Sequence, residues 1–197
     1  MSNIWAIVLA AGESKRMGFP KMLLDFNGRT MIENVISMVA ESEAGNIIIV
    51  LGAERESILE ILTKYRVQTC YNGNFKKGML SSVQCGFNNI PPDADAVLVF
   101  QGDQPLITTK TVNSMISAYR STDKEILIPV YNGKRGHPIM IGMKYREEIM
   151  TLDAGIGLRE LTTNHPEDVL QVETEDPGIL RDFDTYEEYR NEINNFR

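Results

Sequence analysis

The chain has 197 residues, of which 43% are hydrophobic, 24% charged and 8% aromatic, the make-up of one globular domain over 1–197 in preference to two very small ones. Folding at this length removes on the order of 70% of the unfolded surface from water, so no disulfide or structural metal is needed for stability. Twenty basic against 27 acidic residues give a formal charge of −7, which repels nucleic-acid backbones and anionic membranes and requires that any anionic ligand be held locally.

In chain order, a continuous apolar run at 4–9 predicts a strand buried on both faces. Met31, Ile32, Val35, Ile36 and Val39 then recur at helical spacing, and Thr30 with Glu33 has the spacing of a capping box. A second buried strand falls at 47–51, followed by a helical stripe of Ile58, Leu59, Ile61, Leu62 and Tyr65 and a weaker strand at 67–71. Lys77 to Val83 opens a helix, and 96–100 is a third buried strand. Weaker strands are expected at 126–131, 138–141 and 169–172, and a second capping box at Thr185 and Glu188. Alternating strands and helices predict an α/β fold with helices on both faces of the sheet. The shorter runs after Asp103 predict a mixed sheet there, with an antiparallel excursion forming a lid over the site. No repeat, low-complexity block or linker divides the chain.

Cys70 and Cys85 stand fifteen positions apart with no partner at metal-ligand spacing, which excludes zinc ribbons, iron–sulfur clusters and disulfide scaffolds and reads both as buried packing residues. No basic segment precedes the short apolar run that starts at Ile4. No stretch approaches the roughly 20 apolar residues of a membrane span. The expected setting is reducing and cytoplasmic. The methionines, including Met17, Met22, Met31, Met38 and Met79, are expected to fill the core.

In open α/β sheets, ligands gather beyond the C-terminal ends of the strands. The first strand runs into Leu9-Ala10-Ala11-Gly12-Glu13-Ser14-Lys15-Arg16-Met17-Gly18-Phe19-Pro20-Lys21. Small residues at Ala10, Ala11 and Gly12 allow close backbone approach, and successive amides facing one hollow make an anion nest. Arg16 can fork two phosphate oxygens and Lys21 offers a mobile point charge. The pattern is neither a P-loop nor a dinucleotide fingerprint. Residue types alone leave two readings, a phosphate cradle or a turn with solvated basic side chains. The third buried strand ends in Gln101-Gly102-Asp103-Gln104-Pro105. There Asp103 is placed either to hold a hard cation such as Mg²⁺ or to cap the next helix. Asp184, just before Thr185, suits a metal or a helix dipole.

The Leu9-to-Lys21 string resembles the signature of nucleotidyltransferases with the glycosyltransferase-A-like fold, of which sugar-phosphate and methylerythritol-phosphate families carry distinguishable versions, and specifically the enzymes that modify the molybdenum cofactor. The resemblance runs from Ile4 to Tyr189. Gly102-Asp103-Gln104-Pro105 resembles the magnesium motif of the molybdenum cofactor cytidylyltransferases, whose guanylyltransferase relatives read Gly-Asp-Met-Pro, so Gln104 points to the cytidine branch. Asp182-Phe183-Asp184-Thr185 resembles the start of their Asp-Ile-Asp-Thr-Pro-Glu-Asp ending, with Tyr186 for Pro and Glu188 for Asp; Asp182 is read as structural. Lys77-Gly78-Met79-Leu80-Ser81-Ser82 is similar to their Gly-Met-Ser-x-Ser segment beside the nucleotide, with helix capping as the other reading of the two serines. Arg135-Gly136-His137-Pro138 resembles an element on the molybdopterin side, where His137 either binds the acceptor phosphate or packs beneath a turn. Gly155 to Arg159 resembles a Gly-x-x-Ala-Arg stretch, with Leu158 departing from it.

The resemblance implies a three-layer, Rossmann-like nucleotidyltransferase fold with a mostly parallel mixed sheet and helices on both faces. It implies a Mg²⁺-dependent enzyme that transfers CMP from CTP to the terminal phosphate of molybdopterin and releases pyrophosphate. Leu9, Ala10, Ala11 and Gly12 would surround the phosphates, Arg16 the β and γ groups, and Lys21 the α-phosphorus. Ser81 and Ser82 would lie at the nucleotide, Arg135 and His137 at the acceptor, and Asp103 with Asp184 at Mg²⁺. A molybdenum hydroxylase is the implied recipient. Alternatives are GTP as donor, a sugar or alditol phosphate as acceptor, and a non-catalytic nucleotide-binding chaperone of the cofactor.

Overall fold

A computed structural model describes residues 2–195. In chain order the elements are β1 (Ile4–Ala10), β2 (Asp25–Phe26), β3 (Arg29–Thr30), α1 (Met31–Ala40), β4 (Asn46–Leu51), α2 (Arg55–Leu62), β5 (Gln68–Tyr71), α3 (Met79–Asn88), β6 (Ala96–Gln101), α4 (Thr109–Arg120), β7 (Ile126–Tyr131), β8 (Lys134–Arg135), β9 (Ile139–Gly142), α5 (Arg146–Ile149), α6 (Leu158–Asn164), β10 (Val169–Glu173) and α7 (Tyr186–Asn195). Every strand expected from an apolar run is present, its ends shifted by no more than one residue. Among the described residues no helix is long and apolar enough to cross a membrane.

The main sheet runs β10-β7-β9-β6-β1-β4-β5, with β8 beside β7. β1 pairs in parallel with β4 and β6, and β4 with β5. β9 enters antiparallel between β6 and β7, the expected excursion. Side chains alternate across the sheet. On β1, Ala6, Val8 and Ala10 pack toward α1, α2 and α4, while Trp5, Ile7 and Leu9 pack toward α3, α5 and α6. Burial on both faces explains why the central strands read as unbroken apolar runs.

Both capping boxes form. Thr30 accepts from the Glu33 amide while the Glu33 carboxylate accepts from the Thr30 amide, and Thr185 with Glu188 does the same at α7. α4 is capped by Thr108, not by Asp103. Two Asn-Gly turns close hairpins: Asn27-Gly28 joins β2 to β3 and Asn132-Gly133 joins β7 to β8, with all four residues at positive φ, the requirement of a type I′ hairpin. A small third core of Met17, Phe26, Met31, Phe183 and Tyr189 ties α7 to the β2–β3 hairpin.

Two packing expectations are corrected. Met79 is 57% exposed, because it begins α3 at the mouth of a cleft where no layer covers it. Cys85 is only half-buried, and α3 packing on β5 brings its sulfur to 3.6 Å from that of Cys70.

Candidate active site

The register sets Leu9 opposite Gln101 and Ala10 opposite Leu51, so β1, β4 and β6 end at one level and their loops meet. Gly102 donates its amide to the Leu9 carbonyl at 3.0 Å; a Cβ there would stand 2.9 Å from that oxygen. Only glycine lets the chain turn so close to β1, and the turn delivers Asp103. Gly52 is equally constrained, since a Cβ would collide with the Ala11 carbonyl. The loop after β1 is thus seated on the end of β4.

That loop folds on Ser14, whose φ of +50° is left-handed. Its carbonyl accepts from the amides of Met17 (3.0 Å) and Gly18 (3.2 Å), and its hydroxyl accepts from the Lys21 amide at 3.1 Å. Among the described residues the main-chain amides of 12–16 donate to no acceptor, which leaves five successive N–H groups available to an anion.

Lys21 is the centre of the charge arrangement. Its ammonium is bonded to the Asp103 carboxylate and lies 3.4 Å from Asp184 Oδ1 and 3.5 Å from the Phe183 carbonyl. Arg16 reaches the other oxygen of Asp184 at 2.8 Å. The Lys21 and Asp103 side chains are only 14% and 8% exposed, whereas Arg16 is 72% exposed. Asp182 belongs to the same field: burial first, then the Asp103 and Asp184 carboxylates, raise its carboxyl above the usual range, against opposing pulls from its own backbone amide and from Lys21.

Leu9, Ala11, Gly12, Lys21, Ser82 and Asp103 line one cavity of about 250 Å³. Ala10 and Ser81 do not line it. Ala10 points into the opposite core, and the Ser81 hydroxyl is turned to the carbonyls of Asn74 and Gly78 at 3.1 and 2.8 Å. Neither serine caps α3, whose N-cap is Gly78. Ser82 is held instead by Asn72, whose amide donates to it at 3.0 Å.

A second cavity of about 470 Å³ adjoins the first through Met79 and Gln101, which line both; Arg135, His137, Ile156 and Arg159 are among its walls. The antiparallel excursion therefore walls this second cavity. Burial lowers the His137 imidazole below its usual range, and the Asp103 carboxylate only partly offsets that, so the ring is kept neutral. The Gln101 amide nitrogen stands 3.2 Å from His137 Nε2. A larger hollow of about 630 Å³ lies beside Asp176, but that carboxylate is engaged by Thr108, Thr111 and the Gly178 amide and serves as a structural cap.

Gln101 and Asn72 were not singled out from the sequence. Each is a polar residue at or just past the C-terminal end of a strand, which is the signal that would have found them. Gln104, by contrast, is buried, lines neither cavity, and leaves its side-chain oxygen without a partner among the described residues.

A parallel core with one inserted antiparallel strand, and a cleft where β1 and β6 end, define the class: an α/β fold of the Rossmann-type, glycosyltransferase-A-like nucleotidyltransferases. Residues 6–169 match the MobA-like NTP transferase domain, and the chain belongs to that family. A nicotine blue oxidoreductase of Paenarthrobacter nicotinovorans is 27% identical, with 94% of each chain covered. A probable molybdenum cofactor guanylyltransferase of Natranaerobius thermophilus is 29% identical over 66% of this chain and 62% of its own. Among solved structures, a Mycobacterium tuberculosis protein has a TM-score of 0.88 at 23% identity, covering 98% of both chains, and a nucleotidyl transferase from Methanothermobacter has a TM-score of 0.83 at 23% identity, covering 98% of this chain and 97% of its own.

Proposed function

We propose that the protein is a Mg²⁺-dependent nucleotidyltransferase that moves CMP from CTP to the terminal phosphate of molybdopterin and releases pyrophosphate. The observation that carries this reading is Lys21, held by Asp103 and Asp184 in a cavity that opens into a second one lined by Arg135, His137 and Arg159. A donor phosphate and an acceptor phosphate can meet at that seam.

Each residue has a role set by its place. The free amides of 12–16 and the exposed Arg16 guanidinium receive the β and γ phosphates, and Lys21 faces the α-phosphoryl group, where charge grows in the transition state. Ser82, fixed by Asn72, contacts the nucleoside side. In the second cavity Arg135 and Arg159 pair with the acceptor phosphate, while neutral His137 offers a hydrogen bond. A phosphate nucleophile needs positioning more than a strong base.

Asp103 and Asp184 fit a hard divalent cation: both are carboxylates, they converge on one point, and a cationic ammonium already stands between them. With no group of three His, Cys, Asp or Glu poised for a metal among the described residues, phosphate oxygens and water would complete the shell, as Mg²⁺ prefers. Mg²⁺ held there would neutralise the phosphates as the pyrophosphate leaves. A Mycobacterium tuberculosis neighbour of TM-score 0.81 was solved with manganese.

The preference for CTP rests on Gly-Asp-Gln-Pro. Since Gln104 lines neither cavity, it would act on base choice through the turn that carries Asp103. The cytidine dinucleotide product would pass to a molybdenum hydroxylase in the cytoplasm. A pyrophosphate-release panel tests the reading: each of the four common triphosphates with molybdopterin, then CTP with sugar and alditol phosphates. Release with CTP and molybdopterin is expected. Release only with GTP, or only with a sugar phosphate, replaces donor or acceptor, and CTP binding without release replaces the enzyme by a cofactor chaperone. The oxidoreductase name of the Paenarthrobacter relative raises a redox reading, which predicts no pyrophosphate with any pair.

A further inference from the structure

Cys70 on β5 and Cys85 on α3 both carry free thiols, with their sulfurs 3.6 Å apart. A disulfide requires a sulfur–sulfur distance of about 2 Å, so side-chain rotation with a small shift of α3 closes the gap. The joint that would move is already tied to the cleft. Asn72, two residues after Cys70, donates to both Ser81 (2.9 Å) and Ser82 (3.0 Å), and Cys85 lies one helical turn beyond those serines on α3. Ser82 is a wall of the first cavity.

We propose that Cys70 and Cys85 are a reversible disulfide site, and that closing it locks the β5–α3 joint and with it the Ser82 wall of the cleft. The oxidant is a small-molecule disulfide. The Cys85 thiolate attacks one of its sulfurs, forming a mixed disulfide and expelling one thiolate. Cys70 then loses its proton to solvent and attacks the Cys85 sulfur, expelling the second thiolate. Two protein thiols are oxidised to one disulfide, and one small disulfide is reduced to two thiols. The order follows from exposure: Cys85 is half-buried, while Cys70 is only 9% exposed. Burial, and then the neighbouring Cys85, push the Cys70 thiol up to about 12. The Cys85 part of that shift disappears once Cys85 is in a mixed disulfide, and the second step quickens as pH rises.

The test treats the folded protein with oxidised glutathione. Expected are an intact mass lowered by two hydrogens, no titratable thiol after denaturation, a monomer on a non-reducing gel, and full reversal by dithiothreitol. Cys70→Ala should stop at a glutathione adduct on Cys85, and Cys85→Ala should not react. A lasting adduct on the unaltered protein, intermolecular dimers, or two surviving thiols would overturn the site. The locking is read by slowed hydrogen exchange in the first turn of α3, which depends on no nucleotide, and by a several-fold change in Mg²⁺–CTP affinity. Complete disulfide formation with unchanged exchange overturns the lock. Slowed exchange in a protein that binds no CTP leaves the lock standing and instead counts against the proposed substrate.

Discussion

Replacing Lys21 by Met removes one charge at nearly constant length. It leaves the Asp103 carboxylate, 8% exposed, inside the fold without its cation. Breaking a buried ion pair by deleting one partner costs about 3–5 kcal/mol. The loss falls at the lower end here, because Asp184 is 31% exposed and keeps Arg16 at 2.8 Å, so only Asp103 is stranded. At about 2–4 °C per kcal/mol for a chain of this length, roughly 3 kcal/mol lowers the melting temperature by about 6–12 °C. The assay is urea and thermal unfolding at neutral pH in a chelator, repeated with excess Mg²⁺. The variant should regain more stability from the ion than the parent does, because the carboxylates lack their own counterion. Adding Asp103→Asn to Lys21→Met should restore much of the loss, since removing both partners leaves no uncompensated charge. A single variant within about 0.5 kcal/mol of the parent, the size of an ordinary surface substitution, would refute the buried pair.

Asp103→Asn alone should keep the fold, since Lys21 retains Asp184 and the Phe183 carbonyl, yet abolish pyrophosphate release and weaken Mg²⁺-dependent triphosphate binding by calorimetry; normal turnover would remove Asp103 from the mechanism. Tyr186, where the family ending has Pro, lies 5.8 Å from the Phe19 ring and joins the loop after β1 to α7. Tyr186→Ala should forfeit about 0.5–1.5 kcal/mol of aromatic contact and speed tryptic cleavage after Arg16 several-fold, an unchanged rate speaking against the clasp. Asp168 is opposed by burial, but bonds from Lys144, Tyr145 and the Glu125 amide outweigh it and hold its carboxyl below the usual range. That stability is present above the unfolded value near 4 and fades as acid passes the lower folded value. Asp168→Asn should therefore cost about 1–3 kcal/mol at neutral pH and progressively less toward pH ~3 in urea titrations, and a constant difference would contradict it.

The sheet was legible because its central strands are buried on both faces and therefore spell unbroken apolar runs, and the capping boxes because the bonds they encode are local. The Asn-Gly turns were harder to read as hairpins, because β2, β3 and β8 are only two residues long and carry no periodicity of their own. At the cleft, sequence motifs located Gly12, Lys21, Ser82 and Asp103, each at a strand end or helix start. They did not locate the ion pairs. Lys21 with Asp184 spans 163 positions and Arg16 with Asp184 spans 168, distances over which no pattern in the chain records who meets whom. The cysteines show the same limit from the other side: a spacing that matches no local motif was read as no pairing at all, while β5 against α3 made them neighbours.

Under the proposed function, the charge arrangement would also account for how a chain of formal charge −7 takes a triphosphate. Lys21 and Arg16 are both engaged by carboxylates, and with Asp182 the cluster holds three acidic groups against two basic ones. In that state Lys21 and Arg16 are both paired, and the first cavity offers an anion little beyond main-chain amides. Selectivity follows from that balance. A bare polyanion would have to compete with Asp103 and Asp184 for the same two side chains, whereas an anion that brings a divalent cation would satisfy the carboxylates and free Lys21 and Arg16 together. Under the proposed function the Asp103–Lys21–Asp184–Arg16 chain would act as a filter for metal-bound phosphates, and its cost in an empty cleft is small because each of the four charges already has a partner.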